Sequence, residues 1–204
     1  MSESREGRVE AIGAAIHYKI SGRGPVLLVL PDGDGNADAS DRLAADLAGF
    51  TVVTYDRRGT PRSPIDDPLE PVTMATHADD AARVLIAVTT HAARAVGSGA
   101  GAAIGLELVA RHPHRVSMLV AYDPGSVDDD ALDVVALKAS HVAIVPAVSR
   151  ESNDGGRRQA AEALAGRLAV PLVELDGDPI ERPRAFAGQL DAILHRISAP
   201  DGTG

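Results

Sequence analysis

The chain has 204 residues, 45% of them hydrophobic, which fits one domain with a sizeable core. Its net charge of −9 and pI of about 5.2 oppose binding to phosphate backbones, and no apolar run reaches the roughly 18–20 residues of a membrane span. Cysteine is absent, so disulfides, thiolate catalysis and cysteine-held metals are excluded.

The first eight residues, Met1-Ser-Glu-Ser-Arg-Glu-Gly-Arg8, are polar and carry no signal-peptide pattern. They are expected to fray, and a cytoplasmic location is expected. Residues 9–20 alternate in polarity with a break at Gly13, the pattern of a β-hairpin. Residues 25–30 (Pro-Val-Leu-Leu-Val-Leu) form a continuous apolar run, as in a strand buried on both faces. Residues 38–48 have helical spacing, and residues 50–55 predict a second buried strand. A loop rich in Pro and Asp spans 60–71. Residues 76–90 predict a helix with Ala82, Leu85 and Ile86 inward. A strand over 93–97 and a helix over 102–111 follow. Another strand covers 116–121 and is stopped by Asp123-Pro124-Gly125. A short helix over 131–140 precedes a strand over 141–148, in which Pro146 sits awkwardly. The chain closes with a helix over 157–168, a strand over 170–175, a helix over 184–197 and a frayed end over 198–204.

A hairpin followed by alternating strands and helices implies a single α/β domain over residues 1–204. The sheet should be mostly parallel and twisted, with helices on both faces. Neither a repeat nor a linker interrupts it. Usage rich in Ala, Arg, Asp and Gly and poor in Lys points to a high-GC bacterial genome. Aromatic residues make up only 2%, so a pocket should be lined mainly by aliphatic and polar groups.

The strand-to-helix step at Val96-Gly97-Ser98-Gly99-Ala100-Gly101 carries the most information. Its small residues let the backbone turn sharply and present the middle residue, Gly99, above the sheet edge. The same glycines superficially fit a dinucleotide loop, but position 102 is Ala and the step lies too late in the chain.

These residues resemble the α/β-hydrolase superfamily over about residues 12–197. Tyr55-Asp56-Arg57-Arg58-Gly59 is similar to a loop of that family. Gly97 to Arg111, followed by His112-Pro113-His114-Arg115-Val116, is similar to its nucleophile elbow and the helix after it. Pro183-x-x-Phe186 is similar to the start of its terminal helix. The resemblance implies an α/β-hydrolase fold and a triad of nucleophile, acid and histidine.

Here the nucleophile position is Gly99. Glu151 is the best match to the acid. The expected histidine step reads Gly177-Asp178-Pro179. The oxyanion loop is matched by Pro31-Asp32-Gly33-Asp34-Gly35-Asn36, which puts a carboxylate where negative charge would develop. Only residues 123–140 separate two strands between which family members usually insert a cap, so no cap domain is expected.

Two triad positions are therefore empty. The expected function is a pseudo-hydrolase that binds a small ligand or a protein partner through the former pocket, formed by Asp32, Gly33, Asp34, Ser98, Gly99, Ala100 and Asp123. One alternative is an isomerase, cyclase or lyase that uses Asp32, Asp34, Glu151 or Asp178 as acid and base. Another is a serine hydrolase with its nucleophile relocated to Ser98, against a plain turn role for that residue.

The carboxylates at the strand ends, Asp32, Asp34, Asp56, Asp123, Glu151, Asp176 and Asp178, read more simply as caps and turns. The arginines at 57, 58, 62, 157 and 158 read as solvated charge. His77 reads as a helix start capped by Thr73 or Thr76, and His17 and His195 as peripheral. No histidine pair has zinc spacing, so neither metal nor cofactor is expected. Nucleic-acid and membrane partners are not expected. A homodimer across the uncapped edge is an option the sequence leaves open.

Overall fold

A computed structural model describes residues 4–47, 49–125, 132–151 and 155–196. Eight strands form one sheet in the order β1-β2-β4-β3-β5-β6-β7-β8. The strands β1 (Arg5–Ala11) and β2 (Ala14–Gly22) make the N-terminal antiparallel hairpin, and β2 also pairs antiparallel with β4 (Thr51–Tyr55). All later pairings are parallel, through β3 (Val26–Leu30), β5 (Ala93–Gly99), β6 (Val116–Pro124), β7 (Ala143–Ser149) and β8 (Val173–Leu175). The helices are α1 (Asp41–Asp46), α2 (Met74–Val88), α3 (Ala100–Arg111), α4 (Val134–Ala139), α5 (Gly155–Leu168) and α6 (Pro183–Arg196).

Alternation along the strands builds two cores, one on each face of the sheet. Leu28 and Leu30 of β3 join Leu119 and Ala121 of β6 beneath α2, α3, α4 and α5. Leu27 and Val29 join Met118, Val120 and Tyr122 beneath α1 and α6. Each fully buried Leu or Val removes enough apolar area from water for about 1.5–3 kcal/mol. Double-sided burial explains why β3, β4 and β6 read as continuous apolar runs rather than alternating ones.

Several expectations change. Residues 5–8, expected to fray, belong to β1 and pair with β2. Residues 198–204 lie outside the described part. The inward stripe of α2 runs through Ala78, Ala81, Ala82 and Leu85, and Ile86, one residue past Leu85, is 51% exposed. Pro146 stands inside β7, opposite Ala121 of β6, but β8 pairs only from Ala147 onward, so the ring lies just outside the β7/β8 ladder. The connection from β6 to β7 runs over residues 125–142, and α4 is its only described helix. No described helix is long and apolar enough to cross a membrane.

Candidate functional site

The strand β5 ends at Gly99 and α3 starts at Ala100, so the turn between them has no spare residue. Gly99 has φ 50° and ψ −118°, a conformation L side chains rarely adopt. A Cβ on Gly97 would strike the backbone of Gly101, and one on Gly101 would lie 2.5 Å from the Leu30 carbonyl oxygen. Strand end and helix start thus meet backbone to backbone.

What fills the space above Gly99 is a neighbouring carboxylate. Asp32 follows β3 in the next loop. Its Oδ1 accepts the Ala100 N–H at 3.0 Å, and its Oδ2 accepts the Ser98 hydroxyl at 3.3 Å. A Cβ on Gly99 would lie 2.5–2.8 Å from the Asp32 carboxylate oxygens and Cγ. The carboxylate therefore occupies the room a side chain at position 99 would need. It also sits at the positive end of α3, where the helix dipole favours an anion.

The loop carrying Asp32 is held from several sides. Gly35 N–H bonds to the Asp32 carbonyl at 2.9 Å, and Asn36 N–H to Asp34 Oδ1 at 3.0 Å. Arg57 donates to the Gly33 carbonyl. Asp56 accepts the Ala37 N–H at 2.7 Å and pairs with Arg62. These contacts place Arg57 and Arg62 in the scaffold of the loop rather than in solvent.

Beside the elbow lies a cavity of about 140 Å³. Asp32, Gly33, Asp34 and Ser98 line it. So do Val29, Leu43, Tyr122 and Ile180, which no local motif marks, together with Val96 of the elbow run and Phe186 of the terminal-helix match. Two of the chain's five aromatic residues are thus in this wall. Tyr122 and Phe186 pack edge to face at 4.8 Å between ring centroids, and Tyr122 donates to the Gly177 carbonyl at 2.9 Å. Burial pushes the Tyr122 phenol up to about 12, which leaves it a hydrogen-bond donor at neutral pH.

The other candidate carboxylates are not brought to this cavity. Asp123 has φ 42° and accepts the Ser149 N–H at 2.8 Å, so it turns toward the end of β7. Glu151 pairs with Arg182 at the surface. Asp178 accepts the N–H groups of Ile180 and Glu181 at 2.7 and 2.8 Å, a turn-capping role. Asp176 pairs with Arg150. The strand-end carboxylates therefore serve local bonds, with Asp32 and Asp34 as the exceptions that face the cavity.

No histidine is among the described residues lining it. His77 is in the first turn of α2 behind a Thr73/Thr76 capping box. Burial lowers its pKa to about 4, helped by Arg57 and Arg58. His17, read from sequence as peripheral, is 8% exposed and lies between Glu6 and Asp56. Asp56 reaches it through the nonlocal pairing of β2 with β4, which the local sequence does not signal. Among the described residues no group of three or more His, Asp or Glu converges as a metal cradle.

The family model for the alpha/beta hydrolase fold matches residues 25–147. The chain belongs to this family. It is 43% identical over 119 residues to YraK of Bacillus subtilis, an uncharacterized hydrolase, covering 58% of this chain and 44% of that protein. It is 36% identical over 120 residues to RutD of Caulobacter vibrioides, a putative carbamate hydrolase, covering 56% and 44%. The chain thus spans less than half the length of either relative. Among solved structures, an α/β hydrolase from Sphaerobacter thermophilus superposes with a TM-score of 0.78 at 19% identity, covering 93% of this chain and all of the other. A putative lipase from Acinetobacter baumannii gives 0.80 at 13%, covering 95% and 91%. At these identities the structural likeness is one of fold.

Proposed function

We propose that this protein is a catalytically degenerate α/β-hydrolase that binds a small ligand in the elbow cavity without cleaving an acyl bond. One observation carries the reading: the Asp32 carboxylate fills the side-chain space of Gly99 and takes the Ala100 N–H. In this family the residue at the elbow attacks the acyl carbon, and the N–H after it stabilises the oxyanion. Glycine has no atom to attack with, and the N–H already has an anionic acceptor. A developing oxyanion about 4 Å from a carboxylate is opposed by about 4 kcal/mol at an effective dielectric of ~20. Loss of one oxyanion donor alone costs about 2.7–4 kcal/mol. Both effects act in the same direction. The relatives named as hydrolases support descent from a hydrolytic scaffold, and this chain spans 44% of each.

A second reading has its own observation. Ser98 Oγ lies 3.3 Å from Asp32 Oδ2, so a hydroxyl and a base do meet. A carboxylate is ordinarily a weaker base than an imidazole by about 2.5 pK units, and a serine nucleophile is activated by an adjacent base of adequate strength. That ranks Ser98 hydrolysis second. An acid–base enzyme in this cavity would have to work through Asp32 or Asp34, since Glu151 and Asp178 are bonded elsewhere.

The deciding experiment is treatment with a fluorophosphonate probe, read by intact and peptide mass spectrometry. The expected result is folded, unmodified protein. A stoichiometric adduct on Ser98 would overturn the proposal and establish a serine hydrolase with a shifted nucleophile.

A further inference from the structure

We infer that the elbow cavity takes a small organic cation, a primary or secondary alkylammonium, with Asp32 as its counter-ion. This rests on the reading that the elbow no longer serves hydrolysis, and it names the ligand class of that same cavity.

The charge at the site is one-sided. Asp32 and Asp34 line the cavity, and among the described residues no Lys, Arg or His does. Arg57, the guanidinium bound to this loop, donates to the Gly33 carbonyl and is not in the wall. Unlike three of the other strand-end carboxylates, Asp32 has no arginine partner among the described residues. Asp56 pairs with Arg62, Asp176 with Arg150 and Glu151 with Arg182. Asp32, half-buried, has only the neutral donors Ala100 N–H and Ser98 O–H among the described residues. A carboxylate offers about four lone-pair sites, so two remain for a ligand.

At Asp32 itself the same geometry disfavours acceptor-only groups, while Asn36 and Ser40 elsewhere in the wall carry neutral donors. An ester carbonyl or a ligand carboxylate would bring oxygen against oxygen at Asp32. An ammonium brings up to three donors and a positive charge. Removing a cation from water is costly unless a paired anion meets it, and here the anion is already fixed in place by two hydrogen bonds.

The remaining wall suits a short alkyl chain. Val29, Leu43, Val96 and Phe186 supply its apolar side. A volume of about 140 Å³ holds roughly four or five water-sized groups at ~30 Å³ each, which matches a ligand of about five heavy atoms.

The test uses the 204-residue chain at pH 7 with three probes of one shape: n-butylammonium, n-butanol and butyrate. Calorimetry gives affinities, and amide shifts of Ser98, Gly99 and Ala100 report the place. Saturable butylammonium binding is expected, at least tenfold tighter than butanol, with no butyrate binding. Asp32→Asn keeps the size and an acceptor for the Ala100 N–H. It should weaken butylammonium at least tenfold and leave butanol within threefold. Butanol or butyrate binding as tightly as butylammonium would overturn the inference. So would an unchanged affinity in Asp32→Asn, or no binding of any probe. Failure of the cation with unlabelled protein sinks only the ligand class. A fluorophosphonate adduct on Ser98 sinks the underlying reading whatever the amine does.

Discussion

At the scale of single residues, the elbow turns on an exchange between positions 99 and 32. Position 99 needs a backbone conformation with φ 50°, and its side-chain space is held by Asp32. Gly99→Ser therefore meets strain and a clash together. The strain alone should destabilise the fold by about 1–3 kcal/mol, the scale of a non-glycine residue in a sparsely populated region, and the clash adds to it. Asp32→Ala in the same chain should return the part due to the clash by vacating the space, and leave the backbone strain. Thermal denaturation of the two single variants and the double variant measures the coupling. Additive effects would mean that Asp32 does not fill the position-99 space in solution. The glycine spacing and the carboxylate in the preceding loop were both legible in the sequence. Their contact was not, because Asp32 and Gly99 are brought together only when β3 pairs with β5.

At the scale of elements, α2 is fastened to the loop after β4 by a buried ion pair. Arg58 donates to Asp80 through Nε at 2.7 Å and Nη2 at 2.6 Å, with side-chain exposures of 7% and 1%. Burial raises the Asp80 carboxyl pKa against the opposing pull of Arg58, so the pair is held at a desolvation cost. Removing one partner leaves a charge uncompensated. Asp80→Ala should cost about 3–5 kcal/mol, while Arg58→Met with Asp80→Leu should fall within about 2 kcal/mol of the native protein. Urea denaturation of the three chains checks both. The arginine run at 57, 58 and 62 gave no hint of this in sequence, where charge in a Pro- and Asp-rich loop reads as solvated. What changed the reading is the packing of α2 over that loop.

At the scale of the whole molecule, global stability should fall on mild acidification, and His77 sets the first part of the slope. Its pKa is held near 4 in the folded protein, below the ordinary value of 6.5. The unfolded chain thus takes up a proton first, and stability present above pH 6.5 is lost as the pH falls toward 4. Allowing for the part of the ring that water reaches, the loss between pH 7 and 5 should be about 1 kcal/mol. Below that window the paired carboxylates Asp38 and Asp79, whose pKa values are lowered, add losses of the same sign, and Asp80 opposes them. Denaturation midpoints of the native chain and His77→Gln from pH 7 to 4.5 test this. A slope unchanged by the substitution would remove His77 from the account.

The sequence by itself determined the order of elements, the single mostly parallel sheet with its leading hairpin, and the glycine at the centre of the elbow. Those features are written in near-neighbour patterns: apolar runs, helical spacing and small residues at a turn. Only the tertiary structure decided which carboxylates matter. Asp123, Glu151 and Asp178 sit at strand ends just as Asp32 does, yet each is drawn into a local bond with Ser149, Arg182 or the turn at Ile180. Tyr122 and Phe186 reach the cavity from β6 and α6, far apart in the chain, because the alternation of β6 points Tyr122 to the face that α6 covers. A hydrogen bond or a cavity wall depends on where separate elements pack, and that is fixed by burial across the whole sheet rather than by any short stretch of residues.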